Sequence, residues 1–154
     1  MGSRTGYLAC KDQIMRLANK KDYEQIKQIF YKHKKWFPHV RTDYMRRMIA
    51  TNRLIFENEV IITFHHAKRK QTIGDVHVRK GDTVLHQIAS KNSGGGKMIE
   101  RFFKWCPRDV FLSVRSDNIK ACSFYDKIGM KLVGTHNWAK GTVPGKVYVK
   151  RKFN

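Results

Sequence analysis

Three consecutive glycines, Gly94, Gly95 and Gly96, separate an apolar run that ends near Ala89 from an amphipathic run that begins at Lys97. That junction restricts what the chain can fold into. A strand, a glycine turn and a helix start leave main-chain N–H groups unpaired, because the first helical turn has no intrahelical acceptors. Glycine adds no Cβ to shield them. The product is an anion site whose expected guest is a phosphate or pyrophosphate; a flexible connection is the competing reading of three glycines. After the junction, Met98, Ile99, Phe102, Phe103 and Trp105 form a broad apolar stripe on a helix that Pro107 stops.

The rest of the pattern surrounds this junction with alternating elements. A first strand is expected over residues 7–17. Asn19 reads as a helix N-cap with Asp22 near the positive helix end, and Ile26, Ile29, Phe30 and Phe37 recur at helical spacing, with Trp36 at the edge and Pro38 as the stop. A second helix, capped by Thr42, turns Met45, Met48 and Ile49 inward and Arg46 and Arg47 outward. From Arg53 the period becomes two. Strands are expected at 54–56, 60–64, 72–79 and 83–89, joined by turns at 57–59 and 80–82 and a basic hairpin tip at 65–70, as an antiparallel meander. A strand follows at 110–115, then a helix opened by Asp117 with Ala121, Phe124, Tyr125 and Ile128 on its apolar face. Gly129 ends it, and strands at 132–135 and 147–149 complete the chain. The expected fold is α/β (α+β), a single domain over residues 1–154. Its mixed, mostly antiparallel central sheet has six to seven strands flanked by about four helices. Such a sheet opens where one strand diverges from its neighbour, and a ligand enters there.

Charge narrows the partners. Thirty-two Lys and Arg against twelve Asp and Glu leave a net charge of +20 over 154 residues. An imbalance of this size attracts polyanions, nucleic acid or ribonucleoprotein above all. Lys34 and Lys35, Arg46 and Arg47, and Lys68, Arg69 and Lys70 are the candidate phosphate contacts. The first pair lies in a run where aromatics interleave with cations, as stacking on bases requires, although core packing explains the same aromatics. Three cysteines without metal-ligand or redox spacing fit a reduced compartment, and no apolar run approaches a membrane span, so a cytoplasmic protein is expected. Seven histidines show no ligand spacing, and no metal is expected.

Two segments resemble a known family. Lys91-Asn92-Ser93-Gly94-Gly95-Gly96 is similar to the (Gln/Arg)-x-x-Gly-x-(Gly/Ala) segment of the GCN5-related N-acetyltransferases, with Lys91 in place of the usual Gln or Arg. Residues 118–130, from Asn118 through Ala121, Phe124, Tyr125 and Gly129 to Met130, look like their Asn-x-x-Ala-x-x-Phe-Tyr-x-x-x-Gly-Phe signature. The resemblance implies an acyl-CoA-dependent, most simply acetyl-CoA-dependent, N-acyltransferase acting on an amine by direct transfer. By that analogy Asn92, Ser93, Gly94, Gly95, Gly96 and Lys97 hold the pyrophosphate, and Lys91 adds a point charge. A backbone N–H near Ile88 and Ala89 meets the thioester carbonyl, Asn118 lies by the pantetheine arm, and Tyr125 protonates the leaving thiolate. No motif marks the base that takes the proton of the amine. His86, on the strand beside the acyl site, is the first candidate, ahead of Glu57, Asp75 and His77. The charge fits an acidic or nucleic-acid-associated acceptor. Two alternatives remain on the same scaffold: a DNA- or RNA-base modifier similar to the phage Mom proteins, and a catalytically silent nucleic-acid-binding protein. A monomer or homodimer is expected.

Overall fold

A reciprocal cap starts the first helix. In the computed structural model, which describes residues 15–153, the Asn19 side chain accepts the Lys21 N–H at 2.9 Å and the Asp22 carboxylate accepts the Asn19 N–H at 2.9 Å. Each bond satisfies a donor that helix geometry leaves unpaired. Most of the strand expected over 7–17 lies outside the described residues; within them Leu17 forms an isolated bridge to Ile55. Helix α1 is Tyr23–Lys32 and buries Ile26, Ile29 and Phe30; helix α2 is Thr42–Ala50 and buries Met45, Met48 and Ile49.

Two expected helix boundaries are corrected. Helix α1 stops at Lys32, well before Pro38, because its last residues are tied sideways to the sheet. His33 Nε2 lies 2.9 Å from the Ser90 carbonyl, and Lys32 Nζ donates to the Lys91 carbonyl. The chain then tightens into turns, with the Trp36 N–H on the His33 carbonyl at 3.0 Å. Phe37 nevertheless packs edge-on against Phe30, at 5.9 Å between ring centroids. At α2 the cap position is Arg41, in extended conformation, and Thr42 is the first helical residue.

The strands are β1 (Leu54–Glu57), β2 (Val60–His66), β3 (Gln71–Ile73), β4 (Val76–Val78), β5 (Thr83–Ser90), β6 (Val110–Arg115), β7 (Lys131–Thr135) and β8 (Gly145–Lys150). Helix α3 (Gly95–Trp105) joins β5 to β6 and helix α4 (Ile119–Lys127) joins β6 to β7. The six-stranded sheet runs β1-β2-β5-β6-β8-β7. Every neighbouring pair is antiparallel except β5–β6, which is parallel.

The expected meander is corrected here. Residues 71–78 are not one strand of the sheet but a separate hairpin, β3–β4, turning at Gly74 and Asp75. Gly74 has φ +58°, and a Cβ there would lie 1.9 Å from the Thr135 carbonyl oxygen. The hairpin tip is pinned to β7 from both sides. The Asp75 carboxylate accepts the Thr135 N–H at 2.8 Å, and the Asp75 N–H donates to the Thr135 carbonyl at 3.2 Å.

The sheet is covered on both faces. Helices α3 and α4 bury Met98, Ile99, Phe102, Cys122 and Tyr125 against Ile62, Phe64, Leu85, Leu112 and Tyr148. On the opposite face α1 and α2 cover Leu54, Phe56, Ile61 and Ala89. A third cluster joins Ile73, Val76 and Val78 of the hairpin to Val84, Phe111, Val147 and Val149. Each fully buried large apolar side chain contributes roughly 1.5–3 kcal/mol. Cys106 and Cys122 are buried free thiols. No helix among the described residues is long and apolar enough to cross a membrane.

Candidate active site

Strands β5 and β6 pair only at Thr83↔Val110 and Val84↔Phe111, although β5 runs on to Ser90 and β6 to Arg115. Beyond Val84 and Phe111 the two strands separate, and the middle of the sheet opens as a wedge. The ladder on the other side of β5 decides which of its groups face that wedge. The Lys91 N–H bonds the Glu59 carbonyl at 3.0 Å. Antiparallel pairing alternates by two, so Ala89, opposite Ile61, also turns its N–H toward β2. Ser90, between them, and Ile88, just before Ala89, turn their N–H groups the opposite way, and that of Ile88 points into the wedge. Of the two backbone donors expected at the acyl site, Ile88 is available and Ala89 is committed to the sheet.

A β-bulge lies two residues before Ile88. Thr63 pairs with Gln87 and Phe64 with Leu85, leaving His86 as the extra residue of β5. A bulge of this kind re-aims side chains, and here it brings His86 beside His65 of β2. Their rings stack at 4.9 Å between centroids, with His86 Nε2 2.7 Å from His65 Nδ1. His65 Nε2 lies 3.2 Å from Gln71 Oε1 at the start of β3. An amide oxygen only accepts, so His65 carries its hydrogen on Nε2 and presents a bare Nδ1. His86 then donates from Nε2 and keeps the lone pair on Nδ1. His86 retains an exposed edge, yet desolvation by the surrounding atoms, and then the charges of His65 and Arg53, push its pKa down to about 4. Next to it Gln87 is buried, its Oε1 receiving the Tyr44 hydroxyl at 2.9 Å and the Thr63 hydroxyl, while its N–H donates to Thr63 Oγ1 at 3.0 Å.

The glycine turn closes the wedge at its open end. Gly94 occupies the N-cap position of α3 with φ +107°, a conformation that L side chains rarely adopt, and a Cβ there would meet nothing within 4 Å. Gly95 and Gly96 are the first two helical residues, so α3 begins earlier than Lys97. Their absent Cβ atoms would lie 3.9 Å from Ile88 Cδ1 and 3.8 Å from Phe124 Cε1. Strand β5, the helix start and α4 therefore converge on one spot. Asn92, Ser93 and Lys97 are exposed around it. Lys91 is engaged elsewhere: its ammonium lies 3.2 Å from the Glu59 carboxylate.

Helix α4 supplies two further groups. Asn118, not the expected Asp117, is its cap, the side chain accepting the Ala121 N–H at 3.2 Å. Asp117 instead forms a two-pronged pair with Arg115 at 2.8 and 3.0 Å. Capping uses only the Asn118 oxygen and leaves the amide NH₂ as a donor. Tyr125 is buried, its ring 5.4 Å from Phe124 and 5.8 Å from Tyr148, and burial raises its phenol far above the ordinary range.

The remaining base candidates are occupied or remote. Glu57 binds the Arg101 guanidinium and accepts the Arg16 N–H, Asp75 holds Thr135, and His77 is exposed on the hairpin. No group of three metal-ligating side chains occurs among the described residues. Lys34, Lys35, Arg46, Arg47, Lys68, Arg69 and Lys70 are all exposed, the first four around α1 and α2 and the last three in the loop from β2 to β3. The His65–His86 contact and its support from Gln71 escaped the sequence reading because nothing in the local pattern announces a bulge. A histidine on each of two strands of the expected meander was the only available sign.

No protein-family model matches the sequence, and no curated protein matches it. Solved structures do. A GNAT-family acetyltransferase from Streptococcus agalactiae superposes with a TM-score of 0.70 at 14% identity, covering 92% of this chain and 96% of its own. One from Bacillus cereus gives 0.67 at 15% identity, covering 92% and 98%. Arabidopsis thaliana NAA60, solved in complex with a bisubstrate analogue, gives 0.64 at 16% identity, covering 90% and 98%. The splayed parallel pair, the bulge beside it and the glycine helix start lie in a scaffold shared with these proteins along nine-tenths of the chain: this protein has the fold of the GCN5-related N-acetyltransferases.

Proposed function

We propose that the protein is an acyl-CoA-dependent N-acyltransferase, with acetyl-CoA as donor, that transfers its acyl group directly to an amine. One observation carries the reading: a bare helix N-terminus and a free strand N–H meet where β5 and β6 part, and α4, which carries the buried Tyr125, reaches the same helix start through Phe124. The residues suit the donor. With no side chain at Gly94, Gly95 or Gly96, the amides of residues 94–97 are open to a diphosphate, and the positive end of α3 favours its charge. The Asn118 amide is a donor for the pantetheine arm. Acetyl-CoA supplies an acyl group on a carbon activated by its thioester.

The chain's own groups then divide the work. The Ile88 N–H receives the negative charge that develops on the acyl oxygen. His86, neutral at pH 7 and bare at Nδ1, takes the proton that the amine loses as its new N–C bond forms. Tyr125, protonated at neutral pH as any phenol is and held so more firmly by burial, gives a proton to the sulfur as the C–S bond breaks. Lys91 is left out of the donor site because Glu59 holds it.

Saturating acetyl-CoA should raise the melting temperature by several degrees, since a ligand at about 100 times its Kd adds about 2.7 kcal/mol. No shift at saturation would refute the reading. Tyr125→Phe should keep both the fold and the acetyl-CoA shift while turnover falls on the order of 100-fold; undiminished turnover would remove the phenol from the reaction.

A further inference from the structure

Part of the excess charge takes an unusual form around α1 and α2. Residues 20–53 hold ten Lys and Arg against three Asp and Glu. Of those acids, Asp22 pairs with Arg16 at 3.0 Å and Glu24 with Lys27 at 3.8 Å. Four cations of this stretch form no ion pair within 4 Å among the described residues and lie against aromatic rings instead, Lys35 alone also being near enough to Asp117 to help hold its carboxyl down. Lys34 Nζ is 4.6 Å from the ring centre of Tyr31, Lys35 Nζ 4.9 Å from that of Trp36, Arg46 4.7 Å from that of Tyr23 and Arg47 5.6 Å from that of Tyr44. An exposed cation–ring contact contributes only about 0.5–1 kcal/mol. A phosphate oxygen, which makes a charge-assisted hydrogen bond, displaces it readily.

This face borders the mouth of the wedge. The end of α1 is tied to the end of β5 through His33 and Ser90, and the ring of Trp36 lies 5.6 Å from the guanidinium of Arg115, at the end of β6. The segment that follows α1 thus spans the two strands whose separation makes the site. Tyr31, in the last turn of α1, is 68% exposed, and Trp36 in the segment after it is half-buried. Cations alternating with accessible rings match a single strand of nucleic acid, whose phosphates and unstacked bases use both. An acidic protein would leave the rings idle, and a duplex hides its base faces.

Resting on the acyltransferase reading, we infer that the acceptor is an exocyclic amine of a base in single-stranded nucleic acid. The strand crosses the α1–α2 face, with phosphates on Lys34, Lys35, Arg46 and Arg47 and bases against Tyr31 and Trp36. One base enters between β5 and β6. Its amine forms the N–C bond and gives its proton to His86, and the sulfur leaves with the proton of Tyr125.

The test is fluorescence anisotropy with a labelled single-stranded 15-mer of mixed sequence and the matching duplex, from 50 to 300 mM KCl, with melting curves confirming that each variant is folded. The wild type should prefer the single strand. Replacing Lys34, Lys35, Arg46 and Arg47 by Gln should weaken binding at least tenfold. It should also flatten the log–log salt dependence by about 3, since each single-strand phosphate contact adds about 0.7. The control K127Q/K131Q/K140Q should change both far less. Tyr31→Ala with Trp36→Ala should weaken the single strand about fivefold or more without altering its salt slope. Equal losses in the control, equal affinity for the duplex, or equally effective competition by polyglutamate would each overturn the assignment. Incubation with acetyl-CoA followed by nucleoside mass spectrometry should reveal an acetylated base. Stabilisation by acetyl-CoA with no such product sinks this inference alone. Oligonucleotide binding without any acetyl-CoA stabilisation sinks the acyltransferase reading and the acceptor with it.

Discussion

His86 is where a single residue couples folding to pH. Its folded pKa of about 4 lies below the ordinary histidine value. Between pH 6.5 and pH 4 the unfolded chain binds a proton at this position that the folded chain refuses. Acidification through that window therefore favours unfolding, and above pH 6.5 the term vanishes. The melting temperature of His86→Gln should fall less steeply than that of the wild type from pH 6.5 to pH 4; parallel curves would show that the ring titrates normally. The same depression keeps the imidazole neutral to well below pH 6. With an aromatic amine acceptor, which is itself uncharged there, the acid limb of the rate profile should lie nearer 4 than 6.5. His65→Ala frees the His86 ring to rotate, and the rate should drop while the acetyl-CoA dependence holds.

At the scale of elements, two glycines separate binding from architecture. Gly94→Ala puts a side chain at φ +107° but into open space, so it should cost about 1–2 kcal/mol of backbone strain and blunt the acetyl-CoA shift. Gly74→Ala drives a Cβ into the Thr135 carbonyl at the hairpin clasp. It should destabilise by roughly 1–3 kcal/mol or more while leaving acetyl-CoA binding in whatever fraction stays folded. Denaturant melts with and without acetyl-CoA distinguish the two. Several elements were legible in the amino-acid order because one local rule governs each. The stripe Met98–Ile99–Phe102–Phe103 specifies α3, and the capping pair Asn19 and Asp22 specifies a helix start. What escaped depends on distant partners. The early end of α1 follows from carbonyls of β5, the bulge at His86 from the register against β2, and the departure of β3–β4 from its docking onto β7. Residues Ile73-Gly74-Asp75-Val76 did carry a local signal, a glycine-led two-residue loop between apolar residues, that marks a hairpin. In the site, the glycine turn was readable from the amino-acid order and the positions of Asn118 and Tyr125 from the family resemblance, whereas the partners of Lys91 and His65 were not.

Over the whole molecule, a net charge of +20 on 154 residues loads the folded state with self-repulsion. The acids that are paired use up few of the cations: Asp109 alone engages both Arg79 and Arg151. Raising KCl from 50 to 500 mM should therefore raise the melting temperature by a few degrees, because the Debye length shrinks below typical spacings between surface charges. A polyanion should do so at far lower concentration. A melting point indifferent to both would mean that the charges are already compensated. The sheet itself is two sub-sheets, β1-β2-β5 and β6-β8-β7, sharing only two residue pairs at one end. With so short a seam, the hairpin clasp and the crossover helix α3 must resist any prying apart of the halves. In the proposed reaction the substrate fills the wedge and stands in for the missing rungs, completing a ladder that the polypeptide leaves unfinished.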